Sequence, residues 1–520
     1  MEQRILQSLL SPSAYPDTVT TVHLVQTHVS FIFVTDNFVY KIKKPVDFGF
    51  LNFTTLDRRR FYCNEEVRLN GRLCPDMYRG VVEVRDSPAG VRIDGEGTVI
   101  DYAVKMKRLP EERMFDRLVR EEKVTDDQIR QIARTIGAFH LEAEQGKEIE
   151  SYGSTANIRQ NWDDNFQQIA EFPPPVISRR DLDIVRDWAV DYLSVHDALF
   201  AERIAQGFIR DCDGDIHMGN ICLADRVYIF DCIEFNSRFR YSDTAADIAF
   251  LLMDFDYHGR HDYGGIFLSE YIAATGDRDV VKLLDFYKTY RAVVRGKVAG
   301  LKSLDPDVPV AERRSAEEEA ARYFLLARGY VLRRRLTPSL IITCGLMGSG
   351  KSSIASALAF ELGTELHSSD LVRKEIAQVP KFSHQSSGYG EGIYSPVYTE
   401  ATYDMLLTRA DRALDAGRSV IIDATFHRRP DRTRFRELAA QHSVPFRIIV
   451  ASCPEDVIQE RLAEREKALD VVSDGRWELF RKQAEHFELP GDEEGRLTRV
   501  DTSLPFRMTI DSILGSMELL

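Results

Sequence analysis

No stretch of this chain reaches the roughly 18 successive apolar residues that a membrane-spanning helix needs, and the opening MEQRILQSLLSPS lacks the apolar centre of a secretory signal. That segment reads as a short amphipathic helix, and the expected location is cytoplasmic, with no membrane partner. Paired cysteines are also missing. Cys63, Cys74, Cys212, Cys222, Cys232, Cys344 and Cys453 include no C-x-x-C spacing, which suits a reducing compartment where they act as small core residues. The even spacing of Cys212, Cys222 and Cys232 comes without the cysteine–histidine companions of a zinc site. Positive charge is short as well: 68 Lys and Arg stand against 82 Asp and Glu, a net charge of −14. So acidic a chain has no global field for long nucleic acids. One local exception, His427 to Arg436, reads equally as a phosphate-holding patch or a solvated helix face.

Repeats and low-complexity tracts are absent too, and 520 residues at roughly 100–200 per domain imply two to four domains. The clearest break is Thr337-Pro338-Ser339. A charged helix, AEEEAARYFLLARGYVLRRRL, runs up to it, and proline cannot continue a helix. This divides the chain into residues 1–336 and 337–520. The first part opens strand-rich: VSFIFVTDNFVYKIKKPV holds two β-branched and aromatic runs around Thr35-Asp36-Asn37, a hairpin signal. A helix over about Leu56–Leu73 and the strand-like GVVEVRD and TVIDYAVKMKRL follow. From Thr125 to about Gly300 the pattern is mainly helical, interrupted by RVYIFDCIEF. In the second part strand-like and helical runs alternate, which predicts a parallel sheet covered by helices on both faces.

What is present, and specific, is Gly345–Ser352, GLMGSGKS. It fulfils the whole G-x-x-x-x-G-K-S pattern between an apolar strand and a helix. Such glycines let backbone N–H groups wrap phosphates; Lys351 is expected on the β/γ oxygens and Ser352 on magnesium. Gly345, Gly348, Ser349, Gly350 and Ser353 complete the expected nucleotide-binding set.

With Ser369-Asp370-Leu371-Val372-Arg373 the second part resembles the P-loop small-molecule and nucleic-acid kinases, including gluconate kinase-like, zeta toxin-like and polynucleotide kinase-like domains. The resemblance runs over about residues 338–500. Its D-x-x-R motif implies Asp370 as catalytic base or acceptor-orienting group and Arg373 as substrate clamp. A helix-capping aspartate with a surface arginine would look the same. SVIIDAT ends in Asp423, a strand-end acid expected at magnesium, with Thr425 or the basic residues after it near substrate. Arg461 and Arg465, four apart and on one helical face, are implied as lid residues closing over the phosphates.

A second constellation lies upstream: Asp213-Gly214-Asp215-Ile216-His217-Met218-Gly219-Asn220, then VYIFDCIEF with Asp231. It resembles the aminoglycoside phosphotransferase family and its choline-kinase-like relatives, which share the protein-kinase fold. The resemblance implies Asp215 as catalytic base and Asn220 and Asp231 as magnesium ligands. A D-x-x-x-x-N loop can present base and metal ligand together. It also implies Lys41, with Lys43 as fallback, for the α/β-phosphates, and Glu65, with Glu66 as alternative, as the lysine's helical partner. Asp213 departs from the family's usual histidine. Gln26-Thr27-His28-Val29-Ser30 stands where a glycine-rich loop would lie, and an adenine-reading hinge is expected near Lys105–Leu109. His140 reads as a packed helix residue.

The expected fold class is therefore two domains: an α+β bilobal, protein kinase-like (aminoglycoside phosphotransferase-like) domain, then an α/β P-loop NTPase domain with a parallel sheet. The pairing resembles a bacterial fusion family of bifunctional phosphotransferases. The implied function is a bifunctional ATP- and Mg²⁺-dependent phosphotransferase acting on small-molecule acceptors. Two alternatives remain: a regulatory protein joining a kinase-fold sensor to a P-loop nucleotide switch, and a nucleotide or nucleic-acid 5′-hydroxyl kinase. Neither acceptor nor the oligomeric state follows from the sequence.

Overall fold

The computed structural model describes residues 3–49, 51–174, 176–380, 391–467 and 477–520, leaving aside the side chains of 465–467, 478 and 479. Two compact units divide the chain, Met1–Phe324 and Leu325–Leu520. The division falls inside the helix Val310–Leu332, earlier than the proline-containing stop where the sequence reading set it. The helix's last turns belong to the second unit because Arg328, fully buried, pairs there with Glu361 and Asp511.

Unit 1 begins with the expected short helix, Gln3–Leu9. Six strands follow: β1 (His23–Gln26), β2 (Ser30–Val34), β3 (Phe38–Lys43), β4 (Tyr78–Ser87), β5 (Gly90–Ile93) and β6 (Thr98–Lys107). They form one antiparallel sheet in the order β1-β2-β3-β6-β4-β5. The hairpin β2–β3 turns at Thr35–Asn37. Alternation along a strand sends successive side chains to opposite faces. Phe31, Phe33, Tyr40 and Ile42 therefore point to one face, under Leu9 and Tyr15. Lys41 and Lys43 share the other, which the helix Leu56–Asn70 covers through Cys63, against Val104 and Met106. Thr55 caps that helix, its hydroxyl accepting from Arg58 N at 3.3 Å.

The remainder of unit 1 is mainly helical, with short strands β7 (Ile209–Asp211), β8 (Ile221–Leu223), β9 (Val227–Ile229) and β10 (Tyr241–Asp243). Pairings β7–β10 and β8–β9 are antiparallel. Its centre is the helix Thr244–Tyr257, buried from Thr244 through Asp256. A helix apolar nearly all round has to lie inside the protein.

Unit 2 is a doubly wound parallel sheet of β11 (Leu340–Cys344), β12 (Glu365–Ser368), β13 (Val420–Asp423), β14 (Phe446–Ser452) and β15 (Arg496–Asp501), ordered β12-β13-β11-β14-β15. Every residue of β11 is buried, as expected of a central parallel strand covered on both faces. The edge strand β15 and the helices Trp477–Glu485 and Phe506–Ser516 are not apparent in the sequence pattern. Among the described residues no helix is long and apolar enough to cross a membrane.

Candidate active sites

In unit 1 the segment Asp213–Asn220 hangs from the buried helix Thr244–Tyr257. Asp247 and Asp254 are seven residues apart and so lie on one helical face. Asp247 accepts hydrogen bonds from the backbone N–H groups of Asp213 (3.0 Å) and Gly214 (2.8 Å). Asp254 accepts from Met218 N at 2.9 Å. Buried carboxylates are tolerated only when paired, and here the loop's backbone supplies the partners. His140 completes the brace, with Nε2 3.1 Å from Asp247 and Nδ1 2.8 Å from the Tyr271 hydroxyl. Although burial works against the charge, the bond to His140 and neighbouring Arg291 hold the Asp247 carboxyl below its ordinary range. Arg291 donates to the Gly214 carbonyl at 2.9 Å and to the Ala246 carbonyl of the buried helix at 3.0 Å.

Asp215 accepts from the Asn220 amide at 3.1 Å, and His217 Nε2 lies 3.7 Å away. Burial raises the Asp215 carboxyl above its ordinary value, with His217 opposing. Asp213, where the resembled family carries histidine, is buried and accepts from Asp215 N at 3.1 Å. That bond braces the loop from within.

Beside this loop a chain of charges runs from interior to surface. Lys43 and Glu66 are fully buried and paired at 2.6 Å. Lys43 also meets Glu234, and it stands over the Phe53 ring at 4.9 Å. The second Glu66 oxygen pairs with Lys41 at 2.9 Å, and Lys41 reaches Asp231 at 2.6 Å. Burial would raise the Glu66 carboxyl, but the two ammonium groups outweigh it and hold it at about 2. Burial would likewise depress Lys41, and Asp231, Glu66 and Glu234 together push it well above its ordinary value. Asp231 is the most open member, with 47% of its side chain exposed. Its φ of 67° is a left-handed conformation that side-chain-bearing residues seldom adopt. The end of the covering helix anchors both loops: Asn70 accepts from Cys232 N at 2.9 Å, and Arg72 donates to the carbonyls of Asp211 and Cys212 at 2.7 and 3.0 Å.

Glu65 requires a correction. It pairs with Arg68 at 2.7 Å on the outer face of the helix, one turn along, and does not face the lysines. The alternative, Glu66, occupies that position. Lys41 and the fallback Lys43 both lie in the cluster.

In unit 2 the P-loop leaves the end of β11 beside β13. Gly345 N donates to the Thr425 carbonyl at 3.2 Å, and Lys351 Nζ donates to the Leu346 carbonyl at 2.7 Å. Gly345, Gly348 and Gly350 all have positive φ, 146°, 78° and 85°, which lets the backbone curl its N–H groups inward. Asp423, at the end of β13, is buried and accepts from the Thr343 hydroxyl at 2.9 Å. Ser352 and Ser353 are exposed at the first turn of the helix Lys351–Leu362.

Arg461 donates to the hydroxyl and carbonyl of Thr502 at 2.8 and 2.6 Å, and Thr502 donates to the Ser349 carbonyl at 2.9 Å. This chain ties the helix Glu455–Lys467 to the P-loop. A cavity of about 360 Å³ lies alongside, lined by Gly350, Ser353, Ile354, Arg461, Glu464, Thr502 and Phe506. The side chain of Arg465 lies outside the described residues. Gln483 was not foreseen: its side-chain oxygen accepts from Met347 N at 2.8 Å, within the P-loop.

Asp370 stands in the first turn of the helix Ser369–Ile376. Arg373, one turn on, is buried and donates to the Ile393 carbonyl and the Thr399 hydroxyl, both at 3.1 Å. Both bonds come from Nη1, and Nε is buried with no hydrogen-bond partner among the described residues. The basic run after Thr425 is engaged: Arg428 pairs with Asp431, Arg429 with Glu493, Arg432 with Glu494 and Arg434 with Asp404.

Residues 340–490 match a family model described as an AAA domain, and unit 2 is a P-loop nucleotide-binding domain. Over 444 residues, 85% of each chain, the sequence is 30% identical to an uncharacterised protein of Mycobacterium bovis and to uncharacterised protein Rv2004c of Mycobacterium tuberculosis. Among solved structures, a sugar kinase from Janibacter sp. HTCC2649 covers 35% of this chain and 96% of its own, at 21% identity and a TM-score of 0.27. A gluconokinase from Sinorhizobium meliloti 1021 covers 35% and 93%, at 22% identity and a TM-score of 0.26.

Proposed function

This chain belongs to the family of those mycobacterial proteins, and we propose that it is a bifunctional, ATP-dependent phosphotransferase whose two units each pass the γ-phosphoryl group to a small-molecule hydroxyl. The observation that carries the reading is the meeting of Lys41, Glu66 and Asp231, 190 residues from first to last, beside the Asp215–Asn220 pair. A strand lysine held by a buried helical glutamate, next to a D-x-x-x-x-N loop and a following aspartate, is the kinase-fold arrangement for phosphoryl transfer. The sheet with one covering helix, followed by a helical part, supports an aminoglycoside phosphotransferase-like unit 1.

A divalent cation fits this cluster by charge. Lys41 and Lys43 face three carboxylates, Glu66, Asp231 and Glu234, so one negative charge is left over, and Asp231 is the member most open to solvent. Asp231 and Asn220 would hold Mg²⁺, and in unit 2 Asp423 and Ser352 would. Bound there, the ion would neutralise charge on the phosphates. Lys41 holds the α/β-phosphates. Asp215 orients the acceptor hydroxyl and accepts its proton as the new O–P bond forms and the β–γ bridging bond breaks. A carboxyl raised by burial suits proton acceptance near neutral pH. Because Asp213 still braces Asp215, the histidine departure does not argue for a degenerate site.

In unit 2 the P-loop backbone and Lys351 take the phosphates, and the cavity beside Arg461 and Phe506 is large enough for a nucleoside. Asp370 is the candidate base, at the N-terminus of its helix. The test uses the full chain, its Asp215→Ala and Lys351→Ala variants, γ-labelled ATP and a metabolite extract. Each variant is expected to lose a different labelled product. Product patterns identical to the parent in both variants would sink the proposal.

A further inference from the structure

We propose that Lys43 and Glu234 are positioning residues for nucleotide binding in unit 1: a second, inner ion pair that keeps Glu66, and through it Lys41, in place when Asp231 turns to its metal. The inference rests on the kinase reading of unit 1 and adds to it a part that a single lysine–glutamate pair does not require.

The geometry makes the need visible. Lys41 is shared between Glu66 at 2.9 Å and Asp231 at 2.6 Å. If Asp231 binds a cation and Lys41 binds phosphate, Lys41 loses one carboxylate partner and gains an anion. Glu66 must then hold its position by other means. Its other oxygen is fixed by Lys43 at 2.6 Å, and Lys43 is itself fixed by Glu234 and by the Phe53 ring. Both positioning residues are buried, with side-chain exposures of 1% and 7%, so neither reaches a ligand directly. Their elements matter as much as their charges. Lys43 ends β3, Glu66 lies on the helix Leu56–Asn70, and Glu234 follows Asp231 by three residues. The inner pair thus ties together the three segments that carry Lys41, its glutamate and the metal-side aspartate.

Removing Lys43 leaves two buried carboxylates short of a cation. Lys41 is the nearest substitute and is drawn inward, away from the phosphates. Nucleotide affinity should therefore fall while the protein stays folded.

The experiment uses the full chain carrying Lys351→Ala, which silences the P-loop, and titrates a fluorescent ATP analogue with Mg²⁺. Lys41→Met identifies the signal that belongs to unit 1. Adding Lys43→Met is expected to raise Kd by about tenfold or more with the saturating signal retained, and Lys43→Arg to recover most of the loss. An unchanged Kd overturns the inference. So does a reduced signal at unchanged Kd, which is what mere unfolding of a fraction would give. Should Lys43→Met fail to fold, Glu234→Gln carries the same expectation and the same contrary outcomes. Absence of any Lys41-dependent binding in the Lys351→Ala parent would remove the kinase reading of unit 1 itself, and this inference with it.

Discussion

Gly329 packs so closely on Glu361 that a β-carbon at position 329 would lie 1.8 Å from the Glu361 carbonyl oxygen. The obstacle is backbone and cannot swing aside. One residue earlier, Arg328 is buried and holds Glu361 and Asp511. The last turns of the helix Val310–Leu332 therefore form part of the second unit's core.

The first prediction follows from that contact. A fragment of residues 325–520 should be folded and measurably more heat-stable than one of 337–520, which leaves Glu361 without Arg328. Within the full chain, Gly329→Ala should destabilise unit 2 by at least the roughly 1–3 kcal/mol typical of overpacking. For a unit of this size each kcal/mol lowers Tm by about 2–4 °C. Calorimetry of the two fragments and the variant checks both statements, and equal Tm values for the fragments would refute the first.

The second prediction separates two adjacent glutamates. Glu66→Gln removes the fully buried carboxylate that Lys41 and Lys43 share, a loss of about 3–5 kcal/mol for a broken interior pair. Glu65→Gln removes an exposed one-turn pair with Arg68, worth at most about 1 kcal/mol. Thermal unfolding should rank them in that order, and Glu65→Gln should bind nucleotide like the parent. Equal losses would contradict the assignment.

That pair also marks where the sequence was and was not readable. The P-loop was legible because its eight residues are contiguous and its chemistry is backbone. The D-x-x-x-x-N spacing singled out Asp215 and Asn220, which meet at 3.1 Å, and the strand position singled out Lys41, which meets Asp231 at 2.6 Å. Neighbours on a helix point about 100° apart, and Asn64-Glu65-Glu66 carries no local sign of which glutamate faces inward; only the packed sheet decides. Asp247 and Asp254 left a faint signal, as acids in the apolar run AADIAFLLMDFD, where a buried charge needs a partner. Gln483 left none, because it meets Met347 across 136 residues. The edge strand RLTRVD was hidden because four of its six residues are polar, and the contacts of Arg373 with Ile393 and Thr399 could not be foreseen because they lie in a different segment.

The third prediction concerns the P-loop's first glycine. At Gly345 φ is 146°, and a β-carbon would lie 2.3 Å from the Ala451 carbonyl oxygen on neighbouring β14. Gly345→Ala must shift either the loop or the sheet. Unit 2 should lose nucleotide binding by at least about tenfold, equivalent to about 1.4 kcal/mol, while Lys41-dependent binding in unit 1 stays intact. Titration of a fluorescent nucleotide against Gly345→Ala and Lys41→Met, singly and together, distinguishes the two sites. Retention of P-loop affinity in Gly345→Ala would show that the close approach is not needed.

The fourth prediction is a pH dependence of stability set by Asp213. Burial, and then the nearby Asp247 carboxylate, push its carboxyl well above the ordinary value, against the opposing pull of the Asp215 N–H bond and of Arg72. The folded protein therefore binds this proton more tightly than the unfolded chain. Stability from this group is fully present below the unfolded value, near about 4. It declines as pH rises toward the folded value, because each step favours the unfolded, ionised form. Asp213→Asn keeps an oxygen to accept from Asp215 N, a bond of 3.1 Å in the parent, and removes the ionisation. Unit 1 of the variant should melt above the parent at neutral pH, with the gap narrowing as pH falls toward 4. Melting curves collected across that range test it, and a gap that is absent or independent of pH would show that Asp213 is ionised at no cost in the fold.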